Sequence, residues 1–293
     1  MPARIPYFQV DSFAERPFAG NPAGVCVLDD WPDAAAMQAI AAENAMPATA
    51  FLRREGEGYA LRWFTPRVEE EMCGHGTLAA AWVVLERLEP GRDAVTFATR
   101  AGPLTVAREG GRYLLDVPAR AIMPCAAPAG LAAAIGVEPL EVLRGASYVA
   151  VLADAGTVAR LSPDLARIAA LDLPGVIVTA PGAGHGCDIA SRYFAPAKGI
   201  PEDPATGSLH AQVVPFWAGR LGRTTLVARQ LSRRGATIGC ELRGDRVRLS
   251  AAVAPYLAGT IELPDQPASS RCTVSQVSCG IVIPSASDLR RRA

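Results

Sequence analysis

The chain has no excess of either charge: 29 Lys and Arg stand against 29 Asp and Glu, for a formal net charge of zero. With no net field and no basic stripe interleaved with aromatics, nothing draws it to nucleic acid or to an anionic membrane surface. It also lacks any uninterrupted apolar run near the roughly 20 residues that span a bilayer. The opening Met1-Pro-Ala-Arg-Ile-Pro-Tyr-Phe has no apolar core of a secretory signal. A cytoplasmic protein with a small-molecule partner is the expectation. Histidine is scarce, and His75, His185 and His210 are too dispersed to suggest a metal cluster. The cysteines, Cys26, Cys73, Cys125, Cys187, Cys240, Cys272 and Cys279, are odd in number and show no CxxC spacing. That argues against a disulfide framework and against a zinc site. All but Cys73 read as small buried apolar residues or tail thiols.

What the chain does have is core material. Half of its residues are hydrophobic and 20% are charged, with the apolar ones spread along the whole length. At 293 residues, two domains of ordinary size are expected, and two lobes imply a cleft between them.

Short β-like runs punctuated by turns dominate the first part: Tyr7 to Val10, Gly24 to Leu28, Thr49 to Leu52, Ala60 to Phe64, Val95 to Phe97, Leu104 to Ala107 and Tyr113 to Val117. One helix interrupts them over Asp33 to Asn44, with Asp33 as N-cap and Ala36, Met37, Ile40 and Ala41 on its apolar face. The Pro and Ala stretch from Pro118 marks a boundary, giving an N-terminal lobe over 1–118 and a C-terminal lobe over 119–263. The second lobe repeats the texture, with strands expected at Tyr148 to Leu152, Val176 to Thr179, Ile189 to Phe194, Thr225 to Ala228, Ile238 to Leu242 and Val247 to Ser250. A helix is expected near Thr157 to Ala170. Residues 264–293, rich in Ser, Pro and Arg, read as a tail.

The informative feature is an internal echo. Cys73-Gly-His-Gly-Thr-Leu-Ala-Ala-Ala-Trp in the first half matches Asp203-Pro-Ala-Thr-Gly-Ser-Leu-His-Ala-Gln in the second, each a turn flowing into an apolar segment. Thr77 can cap the first helix, and Thr206 or Ser208 the second, which runs towards Trp217 despite the awkward Pro215. Two glycine-containing helix starts brought face to face would make an anion-binding cleft, because their free N–H groups and positive dipole ends converge. A carboxylate would sit there.

These residues resemble a family. Val10-Asp11-Ser12-Phe13, Arg16 to Val25 (RPFAGNPAGV), Phe64-Thr65-Pro66, Cys73 to Ala79, Arg192 to Pro196 and Gly199 to Ser208 (GIPEDPATGS) are similar, in order, to the phenazine-biosynthesis (PhzF-like) isomerases. The likeness runs from Pro6 to about Leu263. It implies the diaminopimelate-epimerase-like α+β fold, with two similar lobes, each a barrel-like, mostly antiparallel sheet around a central helix. The last strands would close back on the N-terminal lobe. It also implies isomerase chemistry on a small unsaturated amino acid or related carboxylate, without metal or organic cofactor, in a homodimer. Phenazine and alkylated-proline pathways then suggest specialised metabolism, antibiotic biosynthesis included. Carried over by position, His75 and Asp203 handle protons. Cys73, Gly74, Gly76, Thr77, Gly207 and Ser208 bind the substrate.

One departure bears on mechanism. Where the family has a glutamate before the strand reading Thr-x-Phe, this chain has Ala48, and Glu43 lies on the preceding helix, where a solvated surface carboxylate is expected. His75 can act as acid or base near neutrality, with Asp203 as its partner. A second reading gives Cys73 the role of base in a one-thiol epimerase or dehydratase, since a helix N-terminus lowers a thiol pKa. The partner position for a second thiol falls at about Pro204, which excludes a symmetric two-thiol racemase. A third reading is a non-catalytic carboxylate-binding protein.

Overall fold

A computed structural model describes residues 3–263. Arg4–Ile261 packs as one unit. The expected 264–293 tail, with Cys272 and Cys279, lies outside the described residues.

Each expected run forms a strand, and four further strands, Glu69–Glu70, Met123–Pro124, Glu141–Arg144 and Val253–Leu263, stand where alternation gave no signal. The first half holds β1 (Ala3–Ser12), β2 (Asn21–Leu28), β3 (Ala48–Glu55), β4 (Gly58–Phe64), β5 (Glu69–Glu70), β6 (Ala94–Ala98), β7 (Leu104–Glu109) and β8 (Arg112–Pro118). The second holds β9 (Met123–Pro124), β10 (Glu141–Arg144), β11 (Tyr148–Val151), β12 (Val176–Pro181), β13 (Ile189–Phe194), β14 (Thr225–Gln230), β15 (Ala236–Arg243), β16 (Arg246–Ala251) and β17 (Val253–Leu263).

The ladders carry an internal repeat. From β1 the pairings run β1–β2 antiparallel, β2–β3 parallel, β3–β4 antiparallel, β4–β6 parallel, then β6–β7 and β7–β8 antiparallel. From β10 the same order recurs: β10–β11 antiparallel, β11–β12 parallel, β12–β13 antiparallel, β13–β14 parallel, then β14–β15 and β15–β16 antiparallel. Neither half closes into a barrel, which departs from the expected barrel-like sheets. The last strand of each repeated ladder spends its free edge on the other, β8 pairing antiparallel with β16, and the outer edge of β1 goes to β17. The result is a continuous, sheet-dominated α+β structure.

Among the described residues, six α-helices accompany the sheet: α1 (Ala34–Asn44), α2 (Gly74–Val83), α3 (Leu131–Ile135), α4 (Ala155–Arg160), α5 (Leu165–Ala169) and α6 (Gly207–Leu221). In α1, Asp33 caps by accepting the Ala36 N–H, and Met37, Ile40 and Ala41 are buried while Ala36 is only partly so. The helix expected over Thr157 to Ala170 is two short ones, because Pro163 has no N–H to give and disfavours helical backbone at Ser162. Asp164 then caps α5 anew, accepting from the Ala166 and Arg167 amides.

α2 and α6 occupy equivalent places in the repeat. α2 is apolar all round and buried along its length except at His75, as a helix enclosed by sheet must be. α6 runs through Pro215 unbroken. The carbonyl of Ala211, which an amide at 215 would have bonded, accepts the Arg120 N–H at 2.9 Å instead. The proline therefore ties the segment joining the two halves to α6, and Arg120 stands at the mouth of the cleft described next.

Candidate active site

The two central helices begin against one another. A Cβ added to Gly74 would lie 3.7 Å from the Cα of Gly207, and one added to Gly207 would lie 3.8 Å from the Cα of Gly74. Each residue is the first of its helix, so two sets of amides without intrahelical partners, and two positive dipole ends, meet at one place. They open on a cleft of about 340 Å³ lined from both halves.

One cap, Thr206, stands where expected, and the other does not. Cys73 stands at the N-cap of α2 and Thr206 at that of α6, so the counterpart of Cys73 is Thr206 rather than a residue near Pro204. Thr77 does not cap. It sits one turn inside α2 and its hydroxyl donates back to the Cys73 carbonyl at 2.7 Å, the local competition that short hydroxyl side chains offer. His210 takes the same position in α6, with Nδ1 2.7 Å from the Thr206 carbonyl. The matching backbone pairs reinforce the two-fold relation of the helix starts.

Asp203 lies at the base of the cleft, only 9% exposed. Asn21 donates to its Oδ1 at 2.7 Å, and the Thr206 hydroxyl donates to Oδ2. Gln230 braces the loop from behind: its Nε2 donates to the Asp203 carbonyl at 2.6 Å and its Oε1 accepts the Thr206 amide at 2.8 Å. Burial raises the Asp203 carboxyl to about 6, outweighing the two donors, which pull it down. Both carboxylate oxygens are thus held by Asn21 and Thr206, and no bond joins Asp203 to His75. No hydrogen bond from Asp203 orients the imidazole.

His75 keeps some contact with solvent, but the protein packed around it pushes its imidazole down to about 4. It is therefore neutral at pH 7. Its carbonyl accepts the Ser12 hydroxyl at 2.7 Å, and Nδ1 lies 3.5 Å from Cys73 Sγ. Cys73 is buried, and that burial raises its thiol to about 12. The helix-start amides of Gly76 and His75 act the other way, but Asp203 and Glu70 add to the increase. The thiol is protonated at neutral pH.

Of the residues singled out in the sequence, Cys73, Gly74, His75, Asp203, Gly207 and Ser208 line the cleft together. Gly76 and Thr77 are buried behind that wall. A Cβ on Gly76 would come within 2.8 Å of the Trp63 ring, so its glycine serves packing. Ala48 lines the cleft as a small apolar patch, whereas Glu43 is exposed on α1 and outside it. Sequence reasoning missed Asn21 and Gln230, which had no local sign of their role. It also missed Tyr193, Lys198 and Arg120 on the walls, and Glu70. The acidic run Glu69-Glu70-Glu71 was a visible signal. Glu69 is taken by Arg62 and Arg100, while Glu70 and Glu71 line the cleft.

Comparison with known proteins agrees with this geometry. The family model of phenazine biosynthesis-like proteins (PhzC-PhzF) matches residues 10–254. An uncharacterised isomerase of Pseudomonas aeruginosa is 47% identical over 256 residues, covering 87% of this chain and 98% of that protein. The crystal structure of a PhzF-family phenazine biosynthesis protein from Enterococcus faecalis superposes with a TM-score of 0.86 at 42% identity, over 89% of this chain and 100% of that one. A hydroxyproline epimerase from Agrobacterium vitis, solved with bound trans-4-hydroxy-L-proline, shares the fold at 10% identity and a TM-score of 0.59, over 89% of this chain and 93% of that one.

Proposed function

This chain belongs to the phenazine biosynthesis-like (PhzC-PhzF) family of isomerases, and on that premise we propose that it moves a proton within a small unsaturated amino acid or related carboxylate, with no metal or organic cofactor. The observation that carries the reading is the meeting of two helix starts at one cleft beside a buried carboxyl raised to about 6. The residues 1–118 and 119–263 act as two lobes, a division supported by the repeated ladder order. Specialised metabolism is the setting that the family's description suggests.

The substrate carboxylate binds the amides at Gly74, His75, Gly207 and Ser208, where fixed dipoles replace its water. Ser208 adds its hydroxyl. Asp203 removes the carbon-bound proton: a base poised near 6 is ionised at neutral pH yet basic enough to hold the proton it takes. His75, neutral at pH 7, hydrogen-bonds the negative charge that develops on the substrate; an imidazole pushed down to about 4 is a weak base there.

The alternative with Cys73 as base is disfavoured by its thiol, which burial keeps protonated at pH 7. The test is deuterium uptake from heavy water into a panel of β,γ-unsaturated amino acids, followed by NMR. Asp203→Asn should lose at least about two decades in rate, the usual worth of a positioned acid or base. Cys73→Ala should keep most of it. The reverse ranking identifies a one-thiol epimerase, and saturable binding of the carboxylates without exchange identifies a binding protein.

A further inference from the structure

The repeat that relates α2 to α6 also relates the loops leading into them, and this gives Glu70 a place. Asp203 stands three residues ahead of the α6 cap Thr206, and Glu70 three residues ahead of the α2 cap Cys73. Asp203 bonds through its amide to the carbonyl of Tyr193, the penultimate residue of β13, at 2.9 Å. Glu70 pairs on β5 with Trp63, the penultimate residue of β4. Helix start and strand end thus agree from both sides: Glu70 is the two-fold counterpart of Asp203. Both carboxyls line the same cleft. Both act on the same neighbours, each raising the Cys73 thiol and the Tyr193 phenol.

We propose that Glu70 is the second proton carrier of this site, supplied by the other half of the repeat, in the capacity left open where Ala48 stands. The proposal rests on the isomerase reading above. The two carboxyls differ in a way that suits a pair. Asp203 is clasped by Asn21 and Thr206, whereas the Glu70 carboxyl makes no hydrogen bond or ion pair among the described residues and is half-buried. The clasped group is a fixed base. The unclasped one, a methylene longer, can reach the substrate and exchange its proton with water.

The step balances as follows. The Asp203 carboxylate takes the proton from one carbon, and the electron pair of that C–H bond becomes the new C=C bond. The old π pair takes a proton from the Glu70 carboxyl at the far carbon. The substrate is isomerised with no net gain or loss of protons, Asp203 ends protonated and Glu70 ionised, and exchange with water resets both.

Three variants and one labelled substrate test this. With a β,γ-unsaturated amino acid deuterated at the departing position and turned over in ordinary water, two carriers leave no deuterium at the receiving carbon, because the proton delivered never belonged to the substrate. Glu70→Gln should lower kcat by at least about a hundredfold with KM within about threefold, Glu70→Asp should restore part of the loss, and Glu43→Gln should match the wild type. Deuterium carried into the product, or a Glu70→Gln enzyme within about threefold of wild type, overturns the proposal while leaving the isomerase reading intact. If the wild type turns over none of the panel, the isomerase reading falls and the carrier role with it. The placement of Glu70 is then judged by the Cys73 thiol, whose titration should move down in Glu70→Gln; an unmoved titration overturns the placement.

Discussion

Asn21 Nδ2 donates to Asp203 Oδ1 at 2.7 Å across 182 residues of sequence, a buried bond that joins the first strand hairpin to the loop ahead of α6. The same Nδ2 donates to the Ala205 carbonyl at 2.8 Å. One amide therefore orients the carboxylate and the backbone that carries it. It does not cancel the cost of burial, because the carboxyl still stands at about 6.

That imbalance predicts a pH-dependent stability. A carboxyl raised from 3.8 to about 6 on folding favours the native state fully below pH about 4, and the contribution is lost as pH rises through 6. Asp203→Asn removes the ionisation and should be more stable than wild type at pH 8 by about 1–3 kcal/mol relative to the difference at pH 4, two pKa units being worth roughly that much. Urea unfolding of both proteins at the two pH values measures it. A difference that is the same at pH 4 and pH 8 would contradict the raised carboxyl.

The histidines give the opposite sign. Burial lowers His75 and His210 from 6.5 to about 4, so their contribution to stability is present above pH 6.5 and lost as pH falls through 4. Imidazole resonances assigned with His75→Gln and His210→Gln should keep neutral-ring shifts down to about pH 5. A midpoint near 6.5 for His75 would restore it as a proton carrier.

The two glycines of α2 should respond differently to alanine. At Gly76 the new methyl would stand 2.8 Å from Trp63 Cδ1 and 3.1 Å from Cys73 Sγ, so Gly76→Ala should cost about 1–3 kcal/mol by overpacking. At Gly74 it would meet Leu115 at 3.5 Å and Gly207 at 3.7 Å, ordinary contacts, so Gly74→Ala should fall within about 1 kcal/mol of wild type. Denaturant midpoints of the two variants decide it, and equal losses would refute the packing account.

Much of the local structure was legible in the residues. Alternation located most of the strands, Asp33 announced α1, and the apolar run after Gly76 announced a helix. Errors arose where one residue has two local options. Thr77 was read as a cap but bonds back to the Cys73 carbonyl, and Pro163 splits a helix that composition alone would continue. Whether a hydroxyl turns forward to an amide or back to a carbonyl depends on where the helix begins, which the neighbouring sheet decides.

By itself the sequence determined most of the strands and the helices α1, α2 and α6, though not β5, β9, β10, β17 or α3, that two similar helix starts exist, and which family they resemble, because propensity, capping and glycine freedom act between near neighbours in the chain. Only the tertiary structure decided that β8 pairs with β16 instead of closing a barrel, that the cap of α2 is Cys73, that Asp203 is held by Asn21 rather than by His75, and that Glu70 mirrors it. Those relations depend on which free strand edges pair and which loops then share a wall. That is settled by the burial of residues far apart in the chain, as Asn21 and Asp203 are.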